Sequence, residues 1–474
     1  MKKFSVLLTL AVLMVSSSVF AGSIDYLSNQ SAKYCMNTAS TARTDGADIV
    51  AYNPAGTALL GQGFFIDVSN QTLLKYYEQD NSRAGAAVVG VTGKETYEQD
   101  TPTLLLPNVY VAYNFGEMGP GKLAVFGQAG VVAGGGSLEW DGTAMTYGLG
   151  TTIGLMLAGG GFVTTVDNID LTTKASSVYY GFGLGAAYAF LEDMLSVSAG
   201  ARYTMARRTG ESSGTIDYTT AGAGGDWRIN IDSEYDYDAE GITPIIGLDI
   251  KPTKELTIGI RYEFETPLEF KYDQSKNNVS LTGTAGAAVN AAATALLGGA
   301  TMEQYLAGML NVDGTKSDYN LPQILSIGAE YVVMPELTVG VSSNIYFLSE
   351  ADMDGMEEYF GTGYEIAVGA SYKVMEPLKI SASIMYTDQG AKDKLYEEDT
   401  FLKVVSANPV LDSIFMGLGA TYTVIPNLDI TAAVSWVHYL PKDVDITESN
   451  VGDTIEASYS KELYNIALGA SYKI

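Results

Sequence analysis

The stretch Tyr364–Tyr386, YEIAVGASYKVMEPLKISASIMY, reads as a complete β-hairpin. Leu378, Ile380, Ala382, Ile384 and Tyr386 fall on one parity, and Lys379, Ser381, Ser383 and Met385 on the other. Successive side chains of a strand point to opposite faces, so the run has one apolar and one polar face. The turn before it is only VMEP. The tetrad Gly-Ala-x-Tyr inside the hairpin occurs five times, starting at Gly185, Gly328, Gly369, Gly419 and Gly469. After the first four, a short turn leads to a second alternating run that opens on leucine. A hairpin repeated in this way predicts an antiparallel all-β chain.

A soluble sandwich also alternates, but three features favour a transmembrane barrel. Tyrosine bounds the apolar face at both ends, as Tyr188 with Tyr203 and Tyr372 with Tyr386 show. That pattern suits two aromatic girdles. The other face is small as well as polar, with charges such as Arg202, Arg261, Glu330 and Lys379, which suits an enclosed lumen. Loops alternate between very short and long, as periplasmic turns and extracellular loops do. The runs are Phe64–Tyr77, Thr103–Phe115, Lys122–Val132, Ser177–Phe190, Leu195–Arg207, Tyr237–Ile250, Leu256–Lys271, Ser317–Val333, Leu337–Phe347, Tyr364–Val374, Leu378–Tyr386, Ile414–Val424, Leu428–Tyr439 and Ser458–Ile474. They predict a 14-stranded antiparallel transmembrane β-barrel with both ends on the short-turn side. The long extracellular loops are expected at 133–174, 209–234 and 272–315.

The remaining composition fits an exported barrel. Met1-Lys2-Lys3, the apolar run Phe4–Val15 and the site Val19-Phe20-Ala21 predict a signal peptide over residues 1–21. No later run of 18 apolar residues predicts a membrane-spanning helix. The chain carries 55 acidic against 27 basic residues, which argues against a nucleic-acid partner. Cys35 is the one cysteine, so no intramolecular disulfide is available, and an inert buried thiol is expected. His438 is the one histidine, which leaves no basis for a multi-histidine metal site or a Ser/His hydrolase. Asp352-Met353-Asp354-Gly355 is a fragment of a calcium loop without the rest of its ligand spacing. The reading is of a protein that is not an enzyme and has no cofactor and no metal.

Two stretches depart from the strand pattern. Ala285–Leu310 reads as helix broken at Gly298-Gly299, with a Thr301/Gln304 capping box starting its second half. Met302, Tyr305, Leu306, Met309 and Leu310 then form a helical apolar stripe. It reads either as packing on the barrel rim or as a greasy patch for an apolar ligand. The other stretch is Ser40–Leu60, STARTDGADIVAYNPAGTALL, which lacks sustained alternation and carries an Asn53-Pro54-Ala55-Gly56 turn. Proline lacks an N–H, so this turn does not belong inside a sheet.

In this layout the chain resembles the FadL-type long-chain fatty acid and hydrocarbon transporters of Gram-negative outer membranes. The shared features are a leader, an Asn-Pro-Ala signature (Asn53-Pro54-Ala55, after Ala47–Tyr52), fourteen strands and a helical apolar loop after the seventh. The resemblance implies an N-terminal hatch, or plug, in the lumen over residues 22–62, ahead of a barrel over 63–474. It implies a gate at Asn53, Pro54, Ala55 and Gly56, facing the third strand. It also implies ligand capture by Leu296, Leu297, Met302, Tyr305, Leu306 and Met309, and a pocket at the N-terminal segment Gly22, Ser23, Ile24, Asp25 and Tyr26. Sideways exit would follow at a kinked third strand containing Gly127 and Gly130, where glycine marks a bulge. Arg202, Arg207, Arg208 and Arg261 are candidates to meet a ligand carboxylate. The expected partners are a hydrophobic small-molecule ligand, outer-membrane lipid and lipopolysaccharide, with the chain acting as a monomer. The alternative function is a general outer-membrane porin for small polar solutes.

Overall fold

The computed structural model describes residues 31–159, 162–221, 225–397, 408–448 and 453–474. The expected signal peptide and the segment Gly22, Ser23, Ile24, Asp25 and Tyr26 lie outside the described residues. Fourteen strands close on themselves, each hydrogen-bonded antiparallel to the next. They are β1 Gly63–Arg83, β2 Thr103–Met118, β3 Gly121–Trp140, β4 Val163–Phe190, β5 Leu195–Ala221, β6 Gly225–Ile250 and β7 Leu256–Glu263. The second half is β8 Ile324–Met334, β9 Leu337–Tyr346, β10 Gly363–Met375, β11 Leu378–Asp388, β12 Ser413–Ile425, β13 Leu428–Tyr439 and β14 Asp453–Lys473. Closure is by β14 on β1, in register from Phe65↔Lys473 to Arg83↔Ile455. A closed sheet has no edge, so every backbone group in lipid finds a partner within the sheet.

The alternation places side chains as the hairpin repeat requires. Tyr464, Ile466, Leu468 and Tyr472 of β14 face out and are exposed, as are Ile366, Val368 and Tyr372 of β10. This outer band is the surface a barrel presents to hydrocarbon. Inward positions on the same strands are small or polar.

The sheet is taller than the sequence runs suggested. Much of 133–174 and 209–234, expected as loop, is strand: β3 runs to Trp140, β4 starts at Val163, β5 reaches Ala221 and β6 starts at Gly225. The alternation continues there, with Ile229, Ile231, Tyr235 and Tyr237 buried inside. Asp232, Glu234, Asp236 and Asp238 occupy the outer face, and these charges made the run look like a solvated loop. Helix α2 (Ala144–Gly159) joins β3 to β4. Four further strands, Glu95–Gln99, Glu269–Thr282, Lys316–Asp318 and Lys442–Glu448, extend the wall outward. The strand expected at Leu256–Lys271 breaks between Glu263 and Glu269, around Pro267. Its partner, expected at Ser317–Val333, breaks between Asp318 and Ile324.

The outer end is capped by α2, α3 (Gly286–Leu296) and α4 (Met302–Met309) over the tall strands. The Thr301/Gln304 capping box forms as read from the sequence. Tyr218 stacks on Trp227 with ring centroids 4.3 Å apart beneath this cap.

Residues 31–62 cross the lumen at the short-turn end: helix α1 (Ala32–Met36) and two 3₁₀ turns, Ala47–Ala51 and Pro54–Leu59. In four of the five tetrads, Gly185 being the exception, the glycine faces this segment. A Cβ at Gly369 would stand 2.0 Å from Asn37 Oδ1, and one at Gly419 2.8 Å from Met36 Cβ. Gly259 and Gly417, outside the tetrads, meet the carbonyls of Thr41 and Cys35 in the same way, at 2.0 and 2.3 Å. The barrel wall is thinned by glycine where the backbone of residues 31–62 lies against it. A Gly369→Val protein is therefore expected to form its barrel with residues 31–62 displaced. Proteolysis within that segment, compared with the parent, checks this; equal protection would mean that the segment slides to accommodate the side chain.

Candidate functional site

The lumenal segment 31–62 is anchored by charge as well as by shape. Asp48 is fully buried and central. One of its oxygens accepts from Ser31 Oγ (2.7 Å), Arg43 Nη1 (3.4 Å) and the Tyr52 hydroxyl. The other lies 3.6 Å from Lys33 Nζ. Lys33 also faces Asp67 of β1 at 3.6 Å, and Arg43 meets Asp45 at 2.6 Å. Asp45 reaches Lys379 of β11 at 2.9 Å. Burial by itself would raise the pKa of Asp48, but Arg43 and Lys33 outweigh it and hold the group below the ordinary carboxylate range. The network thus ties the lumenal segment to β1 and β11 through charged pairs.

The signature turn packs on a different part of the wall from the one expected. Asn53 Nδ2 donates to Asp249 of β6 (3.0 Å) and to the Arg43 carbonyl (3.0 Å). The Ala55 carbonyl accepts from Ser196 of β5 at 2.8 Å. Pro54 lies beside Gly247, and Gly56 beside Asn53. Asn53-Pro54-Ala55 therefore sits against the short-turn ends of β5 and β6. Tyr34 and Cys35 of α1 line the same cavity as Gly135 and Gly136 of the third strand.

The third strand's irregularity lies just beyond the two glycines singled out in the sequence. Gly127 is in regular pairing, Val111↔Gly127↔Leu184, and faces outward with its partners. Gly130, opposite Asn108, is the last β3 residue paired with β2. Beyond it the β3–β4 register shifts twice, between Val131 and Ala133 and between Ala133 and Gly136. Two causes are local. Pro107 of β2 has no N–H to offer the next strand. Gly134 and Gly136 take φ of +97° and +75°, which turns β3 out of its ladder.

Between this kink and α1 lies a lumenal cavity of about 120 Å³. Its apolar wall includes Tyr34, Leu73, Leu138, Met385, Phe415 and Leu463. Gly135 and Gly136 form its boundary at the kink, and Lys75, Arg208 and Glu365 bring charge to it. Cys35 lines it as a buried thiol accepting from Gln71 Nε2 (2.9 Å) and Asn465 Nδ2 (3.2 Å).

The four candidate arginines part company. Arg202 and Arg261 share one carboxylate, Glu263, at 2.8 and 3.1 Å, and Arg261 also donates to the Ala51 carbonyl. Arg207 faces out and pairs with Asp236 at 3.1 Å, so it is remote from any lumenal ligand. Arg208 alone borders the cavity, its guanidinium 4.4 Å from the Phe270 ring centroid and 4.7 Å from that of Tyr319. In the cap, Met302 and Leu306 are buried in the outer core, while Leu297 and Tyr305 are partly open. Nothing is described of the side chains of Leu296 and Met309. Sequence reading passed over Lys33, Asp48, Lys75 and Glu263. A charge at an inward position of a spanning strand is the signal that could have found Lys75 and Glu263.

The family described as outer membrane protein transport protein (OMPP1/FadL/TodX) matches residues 12–474. Among solved structures, a Pseudomonas aeruginosa FadL homologue is similar at 14% identity, with 94% of this chain and 98% of that chain covered and a TM-score of 0.63. The toluene transporter TbuX of Ralstonia pickettii is similar at 14% identity, covering 94% and 98%, with a TM-score of 0.54. The toluene transporter TodX of Pseudomonas putida is similar at 13% identity, covering 93% and 97%, with a TM-score of 0.55. At such identities the likeness is one of fold. No curated protein matches the chain.

Proposed function

The chain belongs to this family of outer-membrane transport proteins, and on that footing we propose that it takes up long-chain fatty acids or hydrocarbons by passive movement through a plugged barrel, with lateral release into the membrane. The observation that carries the reading is the mostly apolar cavity lying between plug and wall where β3 leaves its ladder. An apolar solute held there has a path into lipid that avoids the aqueous periplasm. Partition into the bilayer, about 0.8 kcal/mol per CH₂, supplies the driving force without an energy source. A general porin needs an open aqueous lumen with a charged constriction; here residues 31–62 occupy the lumen.

The other roles follow the geometry. Leu297 and Tyr305, partly open at the edge of the cap, make the first apolar contact, and Met302 and Leu306 support them from the core. The Asn53–Gly56 turn holds the plug to β5 and β6. Arg208 is the arginine placed to meet a carboxylate in the cavity.

Gly135→Trp tests lateral release. A Cβ at Gly135 meets no atom within 4 Å and Gly135 borders the cavity, so a large side chain has room at the proposed opening. Uptake of a labelled long-chain fatty acid by expressing cells is expected to fall to the level of cells without the protein. Unchanged uptake would place the exit elsewhere. Rapid flux of a small sugar into liposomes carrying the parent protein would instead indicate a porin.

A further inference from the structure

Near the kink the wall loses ladder pairing. β2 begins at Thr103, opposite Leu73 of β1, and the outer strand Glu95–Gln99 resumes the pairing at Tyr77. Lys75 stands in the interval on the inward parity, 2% exposed. Its ammonium donates to the carbonyls of Gly135 (3.0 Å) and Ser137 on β3. Thr103 Oγ1 donates to the same Gly135 carbonyl at 3.0 Å. Beyond Gly130, β3 has no ladder to β2. Among the described residues no carboxylate ion-pairs with Lys75, and its acceptors are those two carbonyls.

A buried ammonium with only carbonyl acceptors is under-compensated: a carboxylate offers a full charge and stronger, charge-assisted bonds. Lys75, Gly135 and Gly136 all border the cavity, so a head group seated there reaches the ammonium. Its surroundings favour an anion. Arg208 borders the same space. Lys461, whose Nζ donates to Asn408 Oδ1 (3.0 Å) and the Pro409 carbonyl (3.2 Å), adds a second lysine charge above the Tyr77 ring. The one carboxylate on the lining, Glu365, already accepts from Asn344 Nδ2 and the Tyr346 hydroxyl, both at 2.7 Å.

We propose that Lys75 is a latch across the β2–β3 seam, released when the acidic head of an amphiphile draws its ammonium off the Gly135 and Ser137 carbonyls. This rests on the lateral release proposed above and adds selectivity to it. An acid carries the key to the seam, whereas a neutral molecule of the same chain length meets a latched wall. Lys75 acts as a specificity-determining residue, with no bond made or broken in the ligand.

The experiment compares a labelled long-chain fatty acid with the corresponding fatty alcohol in cells expressing the parent, Lys75→Met, Lys75→Arg, or Lys75→Met with Gly135→Trp. Surface amount and heat-modifiable mobility of each barrel are matched first. The parent is expected to favour the acid by roughly tenfold, which corresponds to about 1.4 kcal/mol. Lys75→Met is expected to raise alcohol uptake until that preference is gone, and Lys75→Arg to keep it. An acid-to-alcohol ratio unchanged in Lys75→Met, or absent in the parent, overturns the latch. The combined variant separates the premises. Loss of all uptake there keeps lateral release, so that an unchanged ratio counts against the latch alone; persisting uptake removes lateral release and the latch with it.

Discussion

Replacing Asp48 with leucine is expected to unseat the plug while the barrel stays folded. Asp48 is the common partner of Arg43 and Lys33, both buried with it. Removing Asp48 leaves Lys33 with Asp67 and Arg43 with Asp45 as their remaining counter-charges, so the cost stays below about 3–5 kcal/mol, that of a fully stranded buried charge. The barrel does not share that cost, because its ladders run strand to strand and close through β1 and β14. The plug does, since residues 31–62 meet the wall mainly through side-chain bonds and glycine-fitted contacts rather than a backbone ladder. The readouts are cleavage within 31–62 by added protease and entry of a small sugar into liposomes, both expected to rise. A plug equally protected in the variant would show that shape complementarity alone seats it. The sign of the pH effect is also fixed. The folded pKa of Asp48 lies below its ordinary value, so its contribution is complete above the ordinary carboxylate range. It is lost only as pH falls through the depressed value. The share of the seating that Asp48 supplies is expected to be flat around neutrality and to weaken in strong acid.

What the sequence disclosed about this arrangement depended on period. The Gly-Ala-x-Tyr hairpins announced the barrel because a two-residue repeat survives every local variation, and Tyr372 or Tyr472 marks the interface whatever lies within. The same tetrad displayed its glycines without their reason. Gly369 and Gly419 are small because of Asn37 and Met36, residues some hundreds of positions away, and no local pattern encodes that contact. The tall outer strands were hidden by acid: Asp232, Glu234, Asp236 and Asp238 alternate with Tyr235 and Tyr237, and charge on the outer face reads as loop until the inner face is weighed. Asn53-Pro54-Ala55 was visible as a turn, but its target was not. Its partners, Asp249 and Ser196, lie on β6 and β5 rather than on β3. The kink was read at Gly127 and Gly130, but Gly127 is an ordinary ladder residue and the register shifts lie beyond Gly130, where Gly134 and Gly136 turn the strand.

Glu263→Leu is expected to destabilise the barrel itself, by about 3–5 kcal/mol. Glu263 is the shared partner of Arg202 and Arg261, at 2.8 and 3.1 Å, and all three are buried. Arg202–Glu263 joins β5 to β7, Arg261–Glu263 lies within β7, and Arg261 continues to the Ala51 carbonyl of the lumenal segment. Without the carboxylate, two guanidiniums remain in the lumen with a threonine, a serine and that carbonyl as acceptors. The loss should appear as an earlier urea unfolding midpoint at unchanged slope. The companion protein, with Arg202→Met and Arg261→Met added, should recover most of it, because a buried triad replaced entirely by apolar side chains is often neutral or better. The same reasoning says what these arginines do in the parent. With their charge met by Glu263, they are structural, and a ligand carboxylate gains little from them. In Glu263→Leu they become available, so binding of a fatty acid should strengthen while binding of the matching alcohol does not. If the single change costs less than about 1 kcal/mol, or if acid binding is unaltered, Glu263 is not what neutralises them. The anion-binding role would then return to Arg202 and Arg261.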